Sequence, residues 1–129
     1  MIYSATLPAQ GAGGTDVVAV AGVYKPAFYS GDTVTDVTVV APDGFSTVTG
    51  AATNNVTLSV RRLRGGVVQQ TFAALTLSAG TNFAAKIPLN IPISAQPLLT
   101  ADDVIDVQMH QNGSGVAIGA GLLVSVYVS

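Results

Sequence analysis

Every acidic residue in this chain is an aspartate. Seven aspartates with no glutamate, and five lysines and arginines together, bring the charged fraction to 9%, against about 25% in an ordinary soluble domain. Glu and Lys are the polar residues that sustain exposed helix surfaces, and they are nearly missing. Valine and threonine abound instead. Their branched side chains lose freedom in a helix and fit a pleated surface. This restricts the chain to β-structure, and its 129 residues suit one domain with one core.

The order of residues supports the same reading. Segment 56–63 alternates, with Val56, Leu58 and Val60 on one side and Thr57, Ser59 and Arg61 on the other. Gly65-Gly66 follows as a two-residue hairpin connection. Segment 67–77 returns from it and changes phase near Ala73-Ala74, which a bulge or a bend would explain. Segment 103–111 alternates with Ile105, Val107 and Met109 inward and Asp106, Gln108 and His110 outward, then meets the hairpin signal Asn112-Gly113. A short strand over 116–118 and a last one over 121–129, with Leu122, Val124, Val126 and Val128 on one face, complete that end. Upstream, 33–41 reads as a strand after the Ser30-Gly31-Asp32 turn. The apolar run 16–23 suits a strand buried on both faces. Pro88 and Pro92 make 82–93 an edge strand or a broken one. About eight short antiparallel strands predict a single-domain β-sandwich of the jelly-roll kind over 16–129. Residues 1–15, with Pro8, Gly11, Gly13 and Gly14, read as an extended, irregular N-terminal arm.

The chemical inventory is thin. His110 is the single histidine and reads as a surface or cross-strand contact; no acid stands at triad spacing from it. Asp102, Asp103 and Asp106 lack the looped spacing of a calcium site and read as turn and strand-edge groups. Gly11-Ala12-Gly13-Gly14 precedes a strand, so no helix N-terminus follows to bind phosphate. With no cysteine there is no thiolate nucleophile, disulfide or thiolate zinc site. The expectation is a protein that is not an enzyme, without cofactor or metal.

Low charge also bears on partners. So little surface charge protects a free monomer poorly against association: either Thr, Ser, Asn and Gln carry the solvated faces or partner chains cover much of the surface, and partner coverage is the favoured expectation. The net charge of −2 gives no basic stripe for nucleic acid. The apolar stretches 17–24 and 122–128 are too short to cross a membrane as helices. Met1-Ile2-Tyr3-Ser4 lacks the basic and apolar regions of a secretory leader, so synthesis in the cytoplasm is expected. Arg61, Arg62 and Arg64 hold three of the five basic charges within four positions. They read as a solvated hairpin tip or as a docking contact to acidic groups on a neighbouring chain. Tyr3 and Pro8 in the arm, and the aromatics Tyr24, Phe28 and Tyr29, are the other candidate contacts, the aromatics having core-edge packing as their alternative.

The stretches Gly31-Asp32-Thr33-Val34-Thr35-Asp36-Val37-Thr38-Val39-Val40 and Thr49-Gly50-Ala51-Ala52-Thr53-Asn54-Asn55-Val56-Thr57-Leu58, with 101–107 and Gly113-Ser114-Gly115, resemble small capsid decoration (cement or head) proteins of tailed bacteriophages. The likeness covers residues 30–129, and Asp102 stands where that pattern has glycine. It implies a virion structural protein on the outer capsid surface, bridging major capsid protein subunits as a homotrimer. A carbohydrate-binding or fibre- and tail-associated jelly-roll module is the alternative, although there is no Trp and aromatics make up 6% of the chain.

Overall fold

The computed structural model of the chain describes residues 1–25 and 32–129. Among the described residues eight strands form in chain order: β1 (Ile2–Thr6), β2 (Val17–Val23), β3 (Val34–Val40), β4 (Val56–Arg64), β5 (Val67–Thr76), β6 (Leu89–Asn90), β7 (Val104–Gln111) and β8 (Leu123–Val128). They make two four-stranded antiparallel sheets, ordered β1-β8-β3-β6 and β2-β7-β4-β5. First pairs with last, second with seventh, third with sixth and fourth with fifth. That is a single antiparallel ribbon rolled on itself, the jelly roll.

Alternation decides which side chains fill the space between the sheets. Val37 and Val39 from β3, Val124 and Val126 from β8, Val56, Leu58 and Val60 from β4, and Ile105, Val107 and Met109 from β7 are all buried. Each such side chain contributes about 1.5–3 kcal/mol relative to exposure. Gly65 and Gly66, at φ +61° and +76°, join Arg64 to its partner Val67 as the sequence predicts. Both positions need a left-handed backbone, which a Cβ disfavours. The phase change in β5 is a pair of register shifts against β4, between Val60 and Arg61 and between Arg62 and Leu63. They let Phe72 and Ala73, adjacent in sequence, both enter the core. The proline-bearing segment shrinks to β6, two residues at the edge of its sheet.

Three expectations are corrected. The N-terminal arm is part of the sandwich: Ile2–Thr6 is β1, paired along its length with β8. Residues 7–15 are tied down by glutamines. The Gln10 amide donates to the carbonyls of Thr15 and Met109, both at 2.9 Å, and the Gln111 amide donates to Gln10 Oε1 at 2.8 Å. The second correction concerns β2. It is an edge strand, and Val18, Val20 and Val23 project into solvent. Third, Asn112-Gly113 makes a turn, closed by the Gly115 amide on the Asn112 carbonyl at 3.0 Å, but it joins strands of different sheets and no hairpin forms. The strand expected at 116–118 reduces to a bridge between Ile118 and Gln10.

A candidate partner-binding end

The cross-strand register brings the basic trio to its partners. Arg61 lies opposite Asp106 on β7, and its guanidinium grips that carboxylate through two bonds of 2.7 and 2.8 Å. Asp103, at the entry to β7, takes Arg64 at 2.9 and 3.2 Å and Arg62 at 3.4 Å. It also accepts from the Thr100 amide at 2.9 Å, closing the turn that leads into β7. Arg64 reaches on to the Thr100 hydroxyl at 2.7 Å. Burial pushes the Asp103 carboxyl up; the hydrogen bonds from Arg64 and Thr100, with the Arg64 charge, outweigh it and hold the pKa at about 2. The bond to Asp106 raises the Arg61 pKa, against the opposing effect of burial.

Arg61 and Arg62 are therefore largely buried in ion pairs rather than at a solvated tip, while Arg64 keeps half of its side chain exposed beside its bonds to Asp103. Their partners are aspartates of the same chain. Asp103 and Asp106 are correspondingly buried core anions, where the sequence suggested turn and strand-edge groups. Asp102 does occupy a turn, at φ +71°, and pairs with Lys25. Lys86 pairs with Asp43 at 3.3 Å. Every lysine and arginine side chain thus has an aspartate partner within the chain.

Of the aromatic candidates, Tyr24 is fully buried, its hydroxyl donating to Asp32, and so it is a core residue. The Tyr3 ring lies on Gly22, so that a Cβ there would come within 2.6 Å of it. Phe28 and Tyr29 lie outside the described residues. Pro8 is exposed at the opposite end of the sandwich, beside Leu7, whose amide bonds Leu122. His110 is exposed and bonded to Asp16 at 2.6 Å, a cross-strand surface contact as expected.

Tyr3, Tyr24, Arg62 and Arg64 converge on one end of the sandwich, where Met1 pairs with Val128, Thr33 with Ser129 and Leu98, and Tyr24 with Asp103. Sequence reasoning missed what rims this end. Met1, Ile2, Val23, Val67, Val68 and Leu98 are six of the ten large apolar side chains left exposed among the described residues. Clustered exposed apolar side chains mark contact surfaces. No single one signals itself in the sequence; they share an end only because the fold brings the ends of seven strands together there. By contrast, the outer face of the β1-β8-β3-β6 sheet carries Ser4, Ser125, Thr38 and Asn90 across its middle row, a surface that water satisfies.

Among the described residues no enclosed pocket is found and no three histidine or acidic side chains meet in a metal-holding group. The end offers exposed apolar side chains beside ion pairs closed within the chain. Comparison of the chain with family models, curated proteins and solved structures returns no match.

Proposed function

We propose that this chain is a virion structural protein that decorates and stabilises the outside of a bacteriophage capsid, bridging major capsid protein subunits as a trimer, with its apolar end against the shell. The observation that carries the reading is the crowding of exposed apolar side chains at one end of a domain whose cations are all matched internally. Such an end loses free energy to water until a partner covers it. The resemblance of residues 30–129 to capsid decoration proteins supplies the kind of partner.

A cement protein works by mass action. It binds the assembled lattice in preference to free subunits and so favours the assembled state. Many copies on a repeating shell turn modest single contacts into firm retention.

The test is co-sedimentation of the purified chain with assembled heads of the phage that encodes it, and separately with free capsid subunits. Retention on heads alone is expected, lost in the double variant Ile2→Lys/Leu98→Lys. A chain that stays in the supernatant at saturating concentration, or a double variant that binds as the parent does, overturns the reading.

A further inference from the structure

Asn112-Gly113 is the one place in the chain where an asparagine precedes a glycine. Asn54 precedes Asn55, and Asn55, Asn82 and Asn90 precede Val56, Phe83 and Ile91. A backbone nitrogen can attack the side-chain carbonyl carbon of the asparagine before it. A side chain on the attacking residue shields that nitrogen, and glycine has none.

The fold leaves this pair open. Gly113 and Ser114 are exposed in the turn beyond β7. The turn is held by the Gly115 amide on the Asn112 carbonyl and by the Ser114 amide on Asn54 Oδ1 at 2.9 Å. Gly113 sits at φ +64°, and its own amide meets no acceptor among the described residues. One restraint opposes reaction. Asn112 Nδ2 donates to Asn55 Oδ1 and to Thr57 Oγ1, both at 2.9 Å. Nδ2 is the leaving group, so both bonds must break before it departs. Exposed turns with few buried contacts open at little cost.

From this we infer that Asn112 is a self-modifying site, which converts to aspartate and isoaspartate in the folded protein at a rate set by release of those two bonds. The Gly113 nitrogen loses its proton to solvent base and bonds Asn112 Cγ. The Cγ–Nδ2 bond breaks, Nδ2 leaves as ammonia, and a five-membered imide remains. Water opens the imide at either carbonyl, giving aspartate or an isoaspartate whose chain runs through the side chain. The product carboxylate donates nothing to Asn55 Oδ1. Asn55 is buried, so its orphaned oxygen costs stability. The site lies at the end of β7 away from the apolar rim, and the inference stands apart from the decoration reading.

Tandem mass spectrometry of folded protein aged in warm, mildly alkaline buffer tests it. An amide-to-acid mass gain is expected at Asn112 and at no other asparagine, faster at higher pH. Thr57→Val removes one acceptor of Nδ2 and should speed the gain severalfold. Asn112→Gln, whose longer side chain closes a ring poorly, should show none. Gly113→Ala is a weaker control, since its Cβ would come within 2.6 Å of Asn54 Oδ1. Asn112→Asp copies one product and should have a lower urea midpoint than the parent. Chain unfolded in urea supplies the unrestrained rate. Folded protein that shows no gain while the unfolded chain converts overturns the inference. A gain spread over several asparagines, or a Thr57→Val rate equal to the parent's, does the same.

Discussion

Asp103 has no exposed side-chain surface, and two guanidinium groups and a turn depend on its charge. Replacing it with Asn leaves Arg62 and Arg64 without their anion, so Asp103→Asn should cost about 3–5 kcal/mol at neutral pH, read as a lower urea midpoint. Its depressed pKa fixes a sign. The unfolded carboxyl titrates near 3.8 and the folded one near 2, so the unfolded chain takes up the proton first as pH falls. The contribution is fully present above pH 4 and is lost on acidification through about pH 2, amounting to about 2 kcal/mol. The parent should lose that much more stability than Asp103→Asn between pH 7 and pH 2; equal losses would mean that Asp103 is not the group. The two arginines should also differ. Arg62 Nε is buried without an acceptor and its nearest bond is 3.4 Å long, whereas Arg64 makes three bonds. Arg62→Met should fall within about 1 kcal/mol of the parent, since a poorly satisfied buried charge gives little net stability. Arg64→Met should cost more. None of this pairing is readable from composition, because Arg61 and Asp106 become neighbours only through the register of β4 on β7.

At the level of elements, periodicity served where each strand has one wet face. β4, β7 and β8 alternate, and their inward residues are the buried ones. It misled at β2, because an unbroken apolar run looks the same whether its second face meets a core or water. It missed β1, where glycines downstream masked Ile2–Thr6; the two glutamines that fasten residues 7–15 lie about a hundred positions apart. The candidate site was legible in part. Tyr3, Tyr24, Arg62 and Arg64 do gather at one end, but three of them as core or ion-pair residues, and the apolar rim was not foreseen. β1 and β2 belong to different sheets, and the Tyr3 ring on Gly22 packs them together. Gly22→Ala should therefore cost about 1–3 kcal/mol by overpacking. Tyr3→Ala removes the obstacle, so the double variant should be less destabilised than the sum of the singles. Additive losses in a thermal or urea double-mutant cycle would show that the ring does not bear on Gly22.

For the molecule as a whole, the number of charges matters less than their placement. Five basic side chains all face aspartates of their own chain, while six of the ten large apolar side chains exposed among the described residues stand at one end. Association through such surfaces is driven by apolar burial, which salt does not screen, whereas contacts between exposed charges weaken as the Debye length shortens from about 10 Å at 0.1 M to about 3 Å at 1 M. Retention on capsids and self-association should both hold to within about twofold when sodium chloride rises from 0.1 M to 1 M, and both should tighten in sulfate, which strengthens apolar burial. Sedimentation across a salt series checks the first and light scattering the second. A loss of about tenfold across that range would transfer the interface to charged groups, with the exposed pairs Lys25–Asp102 and Lys86–Asp43 opening to serve a partner in place of the valines.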